Sequence, residues 1–320
     1  MTDVSLGIPR RLVEFTLDGE QVRAPEGSTI LDACTQVGTH IPTLCWGDTL
    51  SPVNACRVCM VEVEGSRTLV PSCSRAVDPG MVVTTNGERA RHSRKLVLEL
   101  LASSVDLSTT PHVSDWIQEY GAQPARFGPP ADAATNAMRD GALAGEHHVP
   151  DGSVAATVAQ PTRIDNDLYV RDYGKCILCY KCVDACGEQW QNSFAITVAG
   201  RGFDARISTE FAVPLPESAC VYCGNCVEVC PTGALSTKPE FDLRAQDNWD
   251  EGAQTTTTTV CSFCGVGCNL ELHVQDNKIF KVTSPHDHSV THGNLCIKGR
   301  FGYQSVQSRQ PVTDQASPAE

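Results

Sequence analysis

The sequence predicts a multidomain α+β protein, and three observations carry that prediction. Its 320 residues are too many for one small unit and fit two to four compact ones. Short stretches alternating apolar and polar residues are interleaved with a few helix-like stretches. Seventeen cysteines fall into four quartets separated by cysteine-free segments. With aromatics at only 6%, small domains of this kind need something besides an apolar core to hold them.

The totals exclude several classes. Lys and Arg number 25 against 38 Asp and Glu, a formal net charge of −13. That opposes nucleic acid and anionic membranes and suits docking on a basic face of another protein. No run approaches the ~20 apolar residues of a membrane span. Arg10-Arg11 looks like a twin-arginine pair, but Leu12 to Gln21 contains Glu14, Asp18 and Glu20 and is no export core. A reducing cytoplasm is expected, with the thiolates bound to metal.

Five stretches follow in order. Residues 10–103 read as one unit. Leu12 to Leu17 alternate, and Asp18-Gly19 turns the chain into Gln21–Ala24. Ser28-Thr29 can cap a helix to about Val37 that places Ile30, Ala33, Cys34 and Val37 on one face. Val58–Val63 and Thr68–Val70 form a second hairpin, Met81–Thr85 a strand and Arg91–Leu101 a helix. Residues 104–164 read as a linker with little regular structure beyond a helical piece near Ser114–Tyr120. It is cysteine-free and rich in Ala, Gly and Pro, as in Gly128-Pro129-Pro130-Ala131. Residues 165–243 and 258–303 are two further cysteine modules, the latter with a hairpin of Asn269–Val274 and Lys278–Val282. Residues 304–320 read as a disordered tail.

The cysteine spacings carry the chemistry. Cys45, Cys56, Cys59 and Cys73 are spaced C-x10-C-x2-C-x13-C, and four thiolates with one short gap suit a [2Fe–2S] cluster. A zinc site competes, but zinc motifs usually pair two short knuckles. Cys34 lies outside this quartet on an apolar helix face and reads as a packed, reduced thiol. Cys176, Cys179, Cys182 and Cys186 are spaced C-x2-C-x2-C-x3-C. Cys220, Cys223, Cys226 and Cys230 repeat this and are followed by Pro231. This is the motif of two-cluster bacterial ferredoxins, in which the fourth cysteine ligates the other cluster. One [4Fe–4S] should then use Cys176, Cys179, Cys182 and Cys230, and the other Cys220, Cys223, Cys226 and Cys186. Cys261, Cys264, Cys268 and Cys296 form the fourth quartet, C-x2-C-x3-C-x27-C. His286, His288 and His292 read as a solvated loop, as does the His147-His148 pair. Backbone amides around Gly224 and Gly265 are candidate donors to cluster sulfur.

Two resemblances refine this. Ile41-Pro42-Thr43-Leu44-Cys45-Trp46 and Cys56-Arg57-Val58-Cys59-Met60-Val61-Glu62-Val63 resemble the N-terminal ferredoxin domain of complex I's large iron–sulfur subunit. Iron-only hydrogenases and NAD-dependent formate dehydrogenases carry a similar domain. The resemblance implies a β-grasp [2Fe–2S] domain, followed by a two-cluster [4Fe–4S] ferredoxin-like domain. Cys261-Ser262-Phe263-Cys264-Gly265-Val266-Gly267-Cys268 and Gly293-Asn294-Leu295-Cys296-Ile297-Lys298-Gly299 resemble the cluster domain of molybdopterin enzymes of the formate dehydrogenase and nitrate reductase superfamily. This implies a small β-rich [4Fe–4S] domain in which Lys298 lies between cluster and pterin.

Together these imply the iron–sulfur N-terminal portion of an NAD-linked molybdopterin formate dehydrogenase alpha subunit. It carries one [2Fe–2S] and three [4Fe–4S] clusters and no catalytic residue. Molybdopterin and FMN/NAD are expected only in partner chains: a molybdopterin catalytic subunit and an NAD-binding flavoprotein subunit. The family's additional cluster, held by one His and three Cys, is expected to be absent, since His112 has no cysteine near it in sequence. Either the first two cluster domains approach directly or a partner supplies the relay. A diaphorase-side subunit of an NAD-linked hydrogenase accounts for three quartets but not the fourth. A redox-sensing or zinc-binding interaction module is the remaining alternative.

Overall fold

The computed structural model describes residues 10–127, 162–201 and 205–308. The chain is a mixed α+β protein with two units of contact. The first is Met1–Cys220 with Asn225–Ser236, the second Val221–Gly224 with Thr237–Glu320. The expectations for Gly128–Ala131, for His147-His148 and for the tail beyond 308 fall outside the described residues.

In the first unit, β1 (Leu12–Leu17) and β2 (Glu20–Pro25) pair antiparallel, from Leu12 opposite Pro25 to Leu17 opposite Glu20. Their turn is Asp18-Gly19, with φ of 50° and 90°, the left-handed pair that matches strand twist in a two-residue hairpin. Val13, Phe15 and Leu17 are buried while Leu12 and Glu14 are exposed, as a half-buried strand requires. α1 (Ile30–Gln36) opens with a capping box: Thr29 Oγ1 accepts from the Asp32 amide at 3.0 Å, and the Asp32 carboxylate accepts from the Thr29 amide at 2.8 Å. β3 (Met60–Val63), β4 (Val70–Pro71) and β5 (Val82–Thr84) complete a sheet ordered β2-β1-β5-β3-β4, with β1 and β5 parallel.

α2 (Glu88–Ser104) starts three residues before the expected Arg91. The Glu62 carboxylate, on β3, accepts from the Arg89 and Ala90 amides at 3.1 and 3.3 Å, so the helix start is capped from a strand distant in sequence. α3 (Pro111–Tyr120) has Pro in its first turn and Gly121 at its C-terminal end with φ 60°, and it covers more of the expected linker than Ser114–Tyr120. Two small sheets follow: β6 (Tyr169–Arg171) with β9 (Leu235–Thr237), and β7 (Thr197–Ala199) with β8 (Arg206–Ser208). Two short helices, α4 (Lys181–Cys186) and α5 (Asn225–Glu228), carry the third and fourth cysteines of the two repeats, or lead into them.

The second unit contains α6 (Lys238–Ala245) and a sheet of β10 (Thr255–Val260), β11 (Asn269–Gln275) and β12 (Lys278–Thr283). β10 begins ahead of the expected module start at 258. Its five threonines and one valine are β-branched, which favours a strand even where every residue is exposed. α7 (Ile297–Phe301) and α8 (Tyr303–Gln307) follow. α8 runs into the stretch expected as tail. Tyr303 is buried, and the Gln307 amide mimics a strand neighbour by accepting from Ile279 N at 2.7 Å and donating to Ile279 O at 3.0 Å. Among the described residues, no helix is long and apolar enough to cross a membrane.

Candidate metal centres

The first quartet converges inside the first unit. Cys45 ends the Ile41–Leu44 approach, Cys56 and Cys59 lie on the loop entering β3, and Cys73 follows β4. Asn54 and Arg57 take left-handed φ of 61° and 59°, which folds this loop back on itself. The Cys56 amide donates to Cys45 Sγ at 3.4 Å, and Cys59 Sγ lies 3.5 Å from Cys73 Sγ. Asn54 Oδ1 accepts from Ser74 Oγ at 2.8 Å and lies 3.3 Å from Cys73 Sγ, tying loop to strand end. The Cys45 thiol, bonded to Cys56, lowers the latter's pKa to about 6. The Cys73 thiol does the same for Cys59, to about 7. Cys73 is pushed far up by its bond with Cys59, by burial and by the charges of Cys59, Cys45 and Cys56, so all four sulfurs sense one another. Thiolates are the ligand form, and this shell already favours two of them. Cys34 sits apart, fully buried in the sheet core, where burial pushes its thiol up to about 12.

Around the ferredoxin-type repeats, Cys176, Cys179 and Cys182 of the first repeat and Cys230 of the second line one small cavity, walled elsewhere by Ile177, Ile207 and Leu235. Leu178 and Tyr180 have φ of 51° and 67°, curling the loop so that the Leu178 amide donates to Cys176 Sγ at 3.4 Å. Burial raises Cys176 to about 11 and Cys179 to about 12. Thiols this disfavoured as free anions are stabilised once a cation shares the cavity. Burial, then the charge of Cys220, raise the Cys186 thiol, and Tyr169 Oη is 2.9 Å from Cys220 Sγ. The Ala195 and Ile196 amides donate to Cys186 Sγ. Burial, then neighbouring thiol charges that include Cys226, raise the Cys182 thiol. Cys223 belongs to the segment that groups with the second unit.

In the second unit, Cys261 and Cys268 are held by a 2.8 Å bond from the Cys261 amide to the Cys268 carbonyl. Burial, then the charges of Cys261, Cys264 and Cys296, raise the Cys268 thiol. Cys264 and Cys296 are exposed. Lys298 is exposed on α7, with its carbonyl accepting from the Gly302 amide at 2.9 Å. Gly224 has φ 73°, and a Cβ there would lie 2.3 Å from Arg300 Cδ, while one at Gly265 would meet nothing within 4 Å. Arg300 Nε donates to the Cys223 carbonyl at 3.0 Å. The His288 ring accepts from the Thr291 amide at 3.3 Å, a turn contact of that loop.

Family comparison agrees with this geometry. Residues 10–88 match the 2Fe-2S iron-sulfur cluster binding domain, 175–234 the 4Fe-4S dicluster domain and 254–308 the molybdopterin oxidoreductase Fe4S4 domain. This is an iron–sulfur electron-transfer chain. It is 36% identical over 297 residues to the NADPH-Fe(3+) oxidoreductase alpha subunit of Geobacter sulfurreducens, covering 93% of this chain and 32% of that protein. It is 30% identical over 308 residues to an NADH-quinone oxidoreductase subunit of Rhizobium meliloti, covering 94% and 32%. The chain thus spans about a third of the length of these relatives. Among solved structures, a chain of an NAD+-reducing [NiFe]-hydrogenase shares the fold, with TM-score 0.55 and 24% identity over 71% of this chain and 87% of that one.

Sequence spacing missed the groups that lock the first two iron–sulfur segments together. Trp190 Nε1 donates to the Thr49 carbonyl at 2.8 Å, and Ser51 Oγ donates to Gln189 at 3.3 Å. Leu50 packs with Ala185, Val229 and Trp190. Cys56 and Ile177 pack against one apolar cluster of Leu44, Val58, Leu98, Val113 and Trp116. The two segments approach directly through these contacts. The only trace of this in the sequence is a tryptophan in an otherwise polar stretch, Gly187–Ser193.

Proposed function

We propose that the chain relays electrons between a formate-oxidising molybdopterin subunit and an NAD-reducing flavoprotein subunit, in a reducing cytoplasmic setting. In this reading, residues 10–103 are a β-grasp domain holding one [2Fe–2S] on Cys45, Cys56, Cys59 and Cys73. Residues 165–243 are a two-cluster ferredoxin-like domain, and 258–303 a small β-rich domain whose [4Fe–4S] sits on Cys261, Cys264, Cys268 and Cys296. The observation that carries the reading is the cavity lined by Cys176, Cys179, Cys182 and Cys230. It joins three cysteines of one repeat to the last cysteine of the other, as crossed ligation requires. Cys186, Cys220, Cys223 and Cys226 then make the remaining [4Fe–4S] set.

Bound clusters supply one-electron transfer, and the residues of the chain fix their place and potential. Leu44, Val58 and Ile177 exclude water between the first two sites. The last quartet supports a catalytic partner: Val260, Phe263, Val266 and Ile297, each within two residues of one of its cysteines, are 42–60% exposed. Such a surface fits cover by another protein. Lys298, exposed beside Cys296, is suited to meet a pterin there.

A diaphorase-side subunit of an NAD-linked hydrogenase is the second reading, favoured by the fold shared with the NAD+-reducing hydrogenase chain. Anaerobic purification with iron, sulfide, zinc and molybdenum quantified tests both. Copurifying molybdenum supports the first reading, and nickel without molybdenum the second. Cys56→Ser should remove only the [2Fe–2S] EPR signal; a preparation rich in zinc and free of sulfide rejects the relay.

A further inference from the structure

Three arginines, Arg94, Arg171 and Arg300, head the largest fully buried side chains of the protein. A buried guanidinium cannot shed its proton, so its charge must be answered by something nearby. For Arg171 the answer is an ion pair with Asp165. Arg94 has no such partner among the described residues. Its Nε donates to Val58 O at 3.3 Å, and its Nη2 to Met60 O at 3.0 Å and Thr85 O at 2.7 Å. Its Nη1 reaches Asn86 Oδ1 at 3.5 Å and Tyr120 Oη at 3.3 Å. The Asp18 carboxylate accepts from the amide and hydroxyl of Thr85, both at 2.7 Å, and makes no ion pair with Arg94 among the described residues. Carbonyls and a phenol satisfy hydrogen bonds but do not cancel a charge.

Two of the three backbone carbonyls that Arg94 holds belong to the residues on either side of Cys59. We infer that Arg94 is a positioning residue for the first quartet: it fixes the Cys56–Cys59 loop and supplies the counter-charge that makes a cluster held there easier to reduce. The inference rests on the ligation reading above. Two ferric ions, two sulfides and four thiolates carry net negative charge, and one electron passed on from the neighbouring ferredoxin-type clusters deepens it by one unit with no bond broken. A fixed cation in a poorly solvated site favours the more negative state.

The test uses the full chain, purified anaerobically with its clusters, and an EPR-monitored redox titration of the [2Fe–2S] signal. The [4Fe–4S] signals of the same sample report that the chain is folded. Arg94→Met should lower the equilibrium constant for reduction at least about tenfold, a shift of about 59 mV to more negative potential. Arg94→Lys, titrated at about pH 6 so that the buried lysine stays protonated, should recover most of that shift. Loss of the signal in Arg94→Met but not in Arg94→Lys also supports the inference, because charge rather than packing then holds the site. An Arg94→Met potential within twofold of wild type overturns it, as does loss of the signal in both variants. A wild-type chain with zinc in place of the [2Fe–2S] overturns the ligation reading itself, and this inference with it.

Discussion

The first and last cysteine quartets each place four thiols, in contrasting surroundings. Cys45, Cys59 and Cys73 are at most 2% exposed, whereas Cys264 and Cys296 are open to solvent. The first is built inside a sheet, with two cysteines on the entry to β3, one after β4 and the loop pinned by Asn54 and Arg94. The last hangs between the end of β10 and the start of α7. Burial of this kind makes a site by excluding water and fixing charge before any metal arrives. On the proposed reading, the difference teaches that two cysteine quartets serve different ends: a sealed internal relay point in one and a docking surface in the other.

Thiol access offers the strongest way to break this contrast. In metal-free protein, iodoacetamide should alkylate Cys264 and Cys296 at least ~tenfold faster than Cys59 and Cys73, because a buried thiol reacts only through local opening. Peptide mass spectrometry over a time course reads the four rates directly. Equal rates would mean that the first quartet is not preformed without its metal, and the comparison would fail.

Leu50 sharpens the contrast from the side of the first quartet. It lies five residues after Cys45 and packs with Ala185, Val229 and Trp190 of the ferredoxin-type segment. Leu50→Ala should cost about 2–3 kcal/mol of that segment pairing. The expected readout is faster amide exchange in Lys181–Cys186 and a slower approach to equilibrium between the [2Fe–2S] and [4Fe–4S] signals after a reducing pulse. Unchanged exchange in α4 would show that the Trp190–Thr49 bond alone holds the contact.

Much of this is legible in residue spacing, and the illegible part has a physical reason. The hairpin at Asp18-Gly19 and the cap at Thr29 are local devices, written within four residues of where they act. The four quartets are legible because metal ligation demands particular short gaps. The capping of α2 by Glu62, the bond from Arg94 to Val58 and the clasp of Trp190 on Thr49 span 27 to 141 residues, and no local pattern encodes them. The start of β10 is illegible for another reason: a threonine run shows no apolar alternation, although its β-branching favours a strand.

The smallest handle on the buried side is an ion pair beside Cys176. Lys175 Nζ bonds the Asp106 carboxylate and also faces Asp172, while the Asp106 amide donates to the Gly174 carbonyl at 3.2 Å. Burial pushes the Asp106 carboxyl up, but Lys175 and the Ser108 amide outweigh it and hold it below the ordinary range. Burial works against the Lys175 charge, yet Asp106 and Asp172 raise its pKa. The Asp106 contribution is therefore complete above the ordinary carboxylate pKa of about 4 and is lost as pH falls through its lowered value. The Lys175 contribution is complete below about pH 10 and is lost as pH rises through its raised value. Asp106 is half exposed, so Asp106→Asn should cost only about 0.5 kcal/mol after solvent screening. Hydrogen exchange at Lys175 and Cys176, whose amides bond Asp172 and Tyr173 in this turn, should quicken about twofold at pH 7. The gap between variant and wild type should close as the pH falls below the lowered Asp106 value. A gap that persists in acid would assign the effect to the Asp106–Gly174 backbone contact rather than to charge, leaving the turn beside Cys176 held by shape alone.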